Sequence, residues 1–207
     1  LRRDFYWRKK AVQELKGLGG WILDIATGTG DVAMEIIHQN GDHSKVFGLD
    51  FSESMIKRAR RKVSGKGLSQ TIALSLGDAL SLPFRNNTFN ASIVAFGLRN
   101  IVEKKQALSE MVRVIKKGGK VIILEFTFPQ GGLMKRLYPT YFQRVLPRVG
   151  GFVSGDQGAY AYLPESVFHF ASVENYEEIM RKVGLENVSS QSLTGGVASV
   201  ISGIKKC

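Results

Sequence analysis

The chain has 207 residues, 43% of them hydrophobic and 23% charged, which suits one α/β domain with a full core and offers no apolar run of membrane-spanning length. Cys207 is the single cysteine and His38, His43 and His169 are the only histidines, so a disulfide framework and a Cys/His metal cluster are both excluded, and neither metal nor thiol chemistry is expected. The net charge of +11 favours an anionic partner such as nucleic acid or an anionic lipid surface, but the basic residues are spread over 2–10, 57–66, 113–120 and 135–148 and serve equally as solvated faces.

The opening Leu1-Arg2-Arg3-Asp4-Phe5-Tyr6-Trp7-Arg8 reads as the middle of an amphipathic helix, within an N-terminal helical segment over 1–20, and implies native sequence upstream. Trp21-Ile22-Leu23-Asp24-Ile25 is a short apolar strand that runs into the turn Thr27-Gly28-Thr29-Gly30-Asp31, and Val32, Ile36 and Ile37 then carry a helical pattern. A second strand over 45–49 ends on Asp50, and Ser52 or Ser54 can cap the helix bearing Met55, Ile56 and Ala59. A third strand over 71–76 leads to Gly77-Asp78-Ala79, and a fourth over 91–96 leads to Gly97-Leu98-Arg99-Asn100. A helix carrying Ala107, Leu108, Met111, Val112 and Ile115 is expected to stop at Gly118-Gly119, before a fifth strand over 120–126.

Residues 127–170 break this rhythm, holding four of the five prolines and the glycine-rich stretch 150–158, and are read as a helical lid insertion. A helix over 176–183 and strands over 188–193 and 197–204 follow, the strands joined by a hairpin turn at Gly195-Gly196. Strands alternating with helices predict a single domain over 1–207 built on a doubly wound, mainly parallel sheet with helices on both faces.

Ligands of such sheets bind beyond the carboxyl ends of the strands, where every polar loop named above falls. Gly28 and Gly30 permit a tight turn and a close backbone approach. Gly28-x-Gly30-x-x-Ala33 with Asp50 about 20 residues on also meets the loose dinucleotide fingerprint. Two features favour S-adenosylmethionine over NAD. Asp24 and Asp31 put negative charge near the turn, which suits a sulfonium and an ammonium and repels a pyrophosphate; Asp78 and the Ala79 N–H can serve an adenine amino group and ring nitrogen. A carboxylate that ends an apolar strand needs a partner, which singles out Asp50.

Thr27-Gly28-Thr29-Gly30-Asp31, Asp50-Phe51-Ser52-Glu53-Ser54-Met55, Ala79-Leu80-Ser81-Leu82-Pro83-Phe84, Phe96-Gly97-Leu98-Arg99-Asn100 and Leu124-Glu125-Phe126 resemble, in order and spacing, the C-methyltransferases of ubiquinone and menaquinone biosynthesis. Val145-Leu146-Pro147-Arg148 and Tyr160-x-Tyr162-Leu163-x-Glu165-Ser166 extend the match. The resemblance implies a class I, Rossmann-like methyltransferase fold: seven mainly parallel strands with an antiparallel C-terminal one. It implies S-adenosyl-L-methionine as methyl donor, S-adenosyl-L-homocysteine as product, no metal, and a polyprenyl quinol of the demethylmenaquinol or 2-polyprenyl-6-methoxy-1,4-benzoquinol type as acceptor. Asp24, Thr27, Gly28, Thr29, Gly30, Asp31, Asp50, Phe51, Asp78, Ala79 and Ala95 are the implied cofactor residues, and Arg99, Asn100 and Tyr162 the implied catalytic ones.

The family often carries serine where Ala95 stands, and its Tyr-Asp-x-x-Asn segment would lie upstream of Leu1. Arg99 stays protonated and so is expected to stabilise a phenolate or orient water rather than to abstract a proton. His169, Tyr160 and Asp156 are secondary candidates for ring contacts, and Leu133, Met134, Leu137, Tyr138, Tyr141 and Phe142 for holding an isoprenoid tail or touching a membrane surface. The expected setting is cytoplasmic, peripheral at the inner face of the membrane, with a homodimer as a further expectation and nucleic acid disfavoured. The alternatives are methylation of another small molecule or of RNA, a non-catalytic S-adenosylmethionine-binding subunit, and, last, an NAD-dependent oxidoreductase.

Overall fold

The computed structural model describes residues 3–127 and 172–207. The expected lid, with Tyr162, Tyr160, Asp156, His169 and the apolar tail-binding candidates, lies outside the described residues, as do the helical character and boundaries expected of it.

The described chain runs α1 (Arg3–Gln13), β1 (Gly20–Ile25), α2 (Asp31–Asn40), β2 (Ser44–Asp50), α3 (Glu53–Gly65), β3 (Ile72–Leu76), β4 (Phe89–Ala95), α4 (Lys104–Val114), β5 (Ile115–Phe126), α5 (Val173–Lys182), β6 (Leu185–Leu193) and β7 (Ala198–Lys205). The seven strands form one sheet in the order β3-β2-β1-β4-β5-β7-β6, with β7 antiparallel to both of its neighbours and the rest parallel. This is the sheet expected from the sequence, including the single reversed strand at the C-terminus.

Alternation along each strand divides the core into two layers. Ile22, Ala91, Ile93, Ile122 and Leu124 face α1 and α2, packing on Ala11, Val12, Ala33 and Ile36. Leu23, Val94, Val121 and Ile123 face the other way, onto Leu108 and Met111 of α4 and Tyr176 and Met180 of α5. Helices on both faces follow from a central sheet that is apolar on both sides.

Helix ends follow local chemistry. Ser52, not Ser54, caps α3 by accepting the Met55 N–H at 3.4 Å, and Ser172 caps α5 by accepting the Asn175 N–H at 3.2 Å. Several expected boundaries shift: β4 begins at Phe89 rather than 91, α5 at Val173 rather than 176 and β6 at Leu185 rather than 188, while α4 ends at Val114, and Ile115 already pairs with Phe89 as the first residue of β5. Gly118 and Gly119 are not a helix stop but part of a bulge between the Phe89–Ile115 and Ala91–Lys120 pairs, with Gly118 at φ 72°. The β6–β7 connection is the expected turn, a single 3-10 turn over Thr194–Gly196 with Gly195 and Gly196 both at positive φ.

Candidate cofactor and acceptor site

The strand order reverses between β1 and β4: β1 is followed by β2 on one side, while β4 leads outward to β5 on the other. The loops leaving β1 and β4 therefore diverge, and a cavity of about 710 Å³ opens between them at the carboxyl edge of the sheet. Its walls are the turn from Ala26 to Thr29 with Asp31 and Val32 of α2, Leu49 to Phe51 at the end of β2, Met55 of α3, Gly77 to Leu80 after β3, and Ala95 to Gly97 after β4. Asn100, Ile101, Val102 and Arg8 close it.

Each polar group in this ring has a defined local role. Asp50 accepts the Gly28 N–H on Oδ2 at 2.8 Å and the Ser52 N–H on Oδ1 at 2.8 Å. It thus ties the glycine turn to the β2 end, and both oxygens keep lone pairs for vicinal hydroxyls in the cavity. Gly28 at φ 57° and Gly30 at φ 81°, the latter capping α2, supply the backbone freedom the turn needs. Asp78 accepts the Leu80 N–H on Oδ1 at 2.9 Å, which fixes the turn carrying Ala79. Phe51 stands 84% exposed on the cavity wall, an aromatic surface of the size a purine covers.

The two carboxylates expected to lend negative charge to the turn are engaged within the protein. Asp24 is 1% exposed, accepts the Thr27 hydroxyl, and is pushed by burial up to about 7 from the ordinary 3.8. Asp31 pairs with Lys62 of α3 at 2.8 Å, and Lys62 also bonds the Thr29 hydroxyl at 2.9 Å. Asp24 therefore lies buried beneath the turn, its ionisation shifted toward neutral pH, rather than as a carboxylate exposed in the cavity.

Beyond β4, Asn100 lines the cavity whereas Arg99 turns behind it. The Arg99 guanidinium bonds Oε1 of Glu125 at 2.7 Å, and the Arg99 backbone N–H bonds Oε2 at 3.1 Å. The rings of Phe96 and Phe126 flank the guanidinium at 5.9 and 5.3 Å. Glu125 is fully buried at the end of β5, where its own Phe126 N–H also donates to Oε1 at 2.9 Å. Behind the pair lies Tyr176 of α5, fully buried, its hydroxyl held high by burial and by the Glu125 charge.

The structure thus gathers Thr27, Gly28, Thr29, Asp31, Asp50, Phe51, Asp78, Ala79, Ala95 and Asn100 around one cavity. Gly30 shapes its turn, Asp24 lies under it, Arg99 stands behind Asn100, and Tyr162 falls outside the described residues. Sequence reasoning missed Arg8, which nothing in an amphipathic helix pattern sets apart, and the role of Glu125, whose signal was a carboxylate set in the apolar run Val121-Ile122-Ile123-Leu124. Among the described residues no group of three or more His, Cys, Asp or Glu side chains could hold a metal.

The model of the ubiE/COQ5 methyltransferase family matches residues 1–205. A ubiquinone/menaquinone biosynthesis C-methyltransferase UbiE of Geobacter sulfurreducens is 43% identical over 98% of this chain and 79% of its own length. A demethylmenaquinone methyltransferase of Thermus thermophilus is 42% identical over 95% of this chain and 88% of its own. Among solved structures, a SAM-dependent methyltransferase of Thermotoga maritima superposes with a TM-score of 0.70, covering 99% of this chain and 90% of that one. Its 22% identity makes this a likeness of fold.

Proposed function

The chain belongs to the ubiE/COQ5 methyltransferase family, and from that premise we propose that it transfers a methyl group from S-adenosylmethionine to a ring carbon of a polyprenyl quinol in menaquinone or ubiquinone synthesis. One observation carries the reading. A single cavity joins the turn held by Asp50 to the loop bearing Arg99 and Asn100, so donor and acceptor loops face one space.

The donor would supply an electrophilic methyl on a sulfonium: a carbon–carbon bond to the ring would form as the sulfur–carbon bond breaks to leave a thioether, and the ring carbon's proton would pass to water, restoring aromaticity. The residues present fit this donor. Asp50 would hold the ribose hydroxyls, Phe51 and the Asp78–Ala79 turn the adenine, and Thr27 to Asp31 the amino-acid end. Asn100 lines the cavity and would orient a ring oxygen, and Arg99, paired with Glu125 behind it, would hold the loop that carries Asn100 against the acceptor as the ring oxygen gains charge. Alignment of methyl and ring carbon then governs the rate. Tyr162 would be a further ring contact.

A small-molecule quinol is the acceptor; a peripheral, cytoplasmic position at the inner membrane face and a homodimer belong to the same proposal. Among the described residues no helix is long and apolar enough to cross a membrane, and a lipid acceptor together with the net charge of +11 supports attraction to an anionic lipid surface. The test is methyl transfer from labelled S-adenosylmethionine to reduced demethylmenaquinone and to a demethylated benzoquinol analogue, with calorimetric donor binding in parallel. Product from either names the ring. Tight donor binding with transfer to neither would remove the quinol assignment.

A further inference from the structure

The described lining of the cavity holds three carboxylates, Asp31, Asp50 and Asp78, and a single cationic side chain, Arg8. Arg8 belongs to none of the motifs that frame the cavity. It arrives from α1, which packs with α2 on one face of the sheet and is anchored by its neighbour Trp7. The preceding Trp7 is 7% exposed, packs against Phe96 and Phe126 with ring centroids 6.0 and 5.7 Å away, and bonds the Thr194 hydroxyl through its indole N–H at 2.8 Å. The Arg8 guanidinium stacks over Phe96 at 5.7 Å, and its charge is felt at Asp24, where it works against burial.

The amino-acid end of the proposed donor is a zwitterion, and its carboxylate must sit in a cavity rich in acids. At the positive end of α2 the Asp31 carboxylate already sits in the first turn and the Ala33 N–H is taken by Asp24, so fewer donors remain there for that carboxylate. We infer that Arg8 binds the α-carboxylate of the donor's methionyl group, and of the homocysteinyl group of the product. The planar fork of arginine matches a carboxylate in two parallel hydrogen bonds, which a lysine cannot reproduce. The group now paired with Arg8 is Asp4, at 2.8 Å and 41% exposed. A part-buried pair of this kind, four residues apart on one helix, is a modest competitor for a ligand carboxylate.

This inference rests on the donor reading given above, and the experiment separates the two. Calorimetry is run on wild type, Arg8→Gln and Arg8→Lys with S-adenosylmethionine, S-adenosylhomocysteine and decarboxylated S-adenosylmethionine, which lacks only the carboxylate. Arg8→Gln should weaken the two carboxylate-bearing ligands by about ten- to a hundredfold and the decarboxylated one by less than about twofold, with Arg8→Lys in between. Asp4→Asn, which leaves the cation and removes its competitor, should bind S-adenosylmethionine as tightly as wild type or up to about threefold more tightly. Equal losses for all three ligands would mean that Arg8 only packs α1 against Phe96, and no loss would place the carboxylate elsewhere; either overturns the inference. Failure of the wild type to bind S-adenosylmethionine would instead remove the donor reading itself.

Discussion

Replacing Asp24 by asparagine should make the ligand-free protein more stable at pH 8 and leave it nearly unchanged at pH 4. Asp24 is 1% exposed, and burial pushes it up to about 7 from the ordinary value of 3.8. The native carboxyl thus keeps its proton at pH values where the unfolded one has lost it, and the native state binds the extra proton between about pH 4 and 7. Stability from this residue is complete below about 4 and falls as pH rises through that window. At about 1.4 kcal/mol per pH unit over about three units, the full cost above pH 7 is roughly 4 kcal/mol. The asparagine oxygen can still accept the Thr27 hydroxyl, so the neutral variant keeps that contact while losing the titration. Urea unfolding of both proteins across pH 4 to 8 gives the stability difference directly. A difference that is flat with pH would refute the argument, because it would mean that Asp24 is charged, or neutral, throughout. The same titration predicts that binding a cationic donor above Asp24 releases a fraction of a proton near pH 7, measurable as a dependence of the binding heat on buffer ionisation enthalpy.

Further outcomes follow from the hydrogen bonds of the site. Asp50→Ala removes the acceptor of two backbone N–H groups and should weaken donor binding by about one to two orders of magnitude; unchanged affinity by calorimetry would dissociate Asp50 from the donor. Arg99→Ala should spare donor affinity and lower turnover. It also leaves the buried Glu125 carboxylate without its counter-ion, at about 3–5 kcal/mol in stability, whereas Arg99→Met with Glu125→Leu should regain most of that stability and none of the activity. Recovery of turnover in the double variant would show the pair to be structural. Ser92, fully buried in β4 with its hydroxyl unpartnered, should tolerate Ser92→Ala with stability unchanged or raised by up to about 1 kcal/mol in thermal unfolding.

Most of the architecture was legible because the sheet advertises itself: apolar runs such as Trp21-Ile22-Leu23 and Val121-Ile122-Ile123-Leu124 are each bounded by glycine or a carboxylate, and periodicity switches to a helical pattern after each turn. The α4–β5 boundary was not legible, since Gly118-Gly119 has the chemistry of a helix stop; only the pairing of Ile115 with Phe89 across the sheet reveals a bulge there. In the site, Asp50, Asp78 and the glycine turn could be read because their residue types are costly anywhere but at a ligand or a turn. Arg8 and the partners of Asp31 and Arg99 could not be read, because each depends on a neighbour brought from far along the chain, such as Lys62 against Asp31 or Glu125 against Arg99.

Where β1 and β4 part, the two turns nearly touch. Ala26 sits at φ 52° and Phe96 at φ 57°, and a Cβ added to Gly97 would stand 2.5 Å from the Cβ of Ala26. The stretch that grips the donor and the stretch that meets the acceptor are therefore not separately adjustable parts. A mutational library aimed at new acceptors, if it randomises 97–100 alone, should return glycine at 97 almost without exception. Larger residues there become accessible only when Ala26 is varied alongside, ideally toward glycine, so acceptor choice has to be bred jointly with the donor turn.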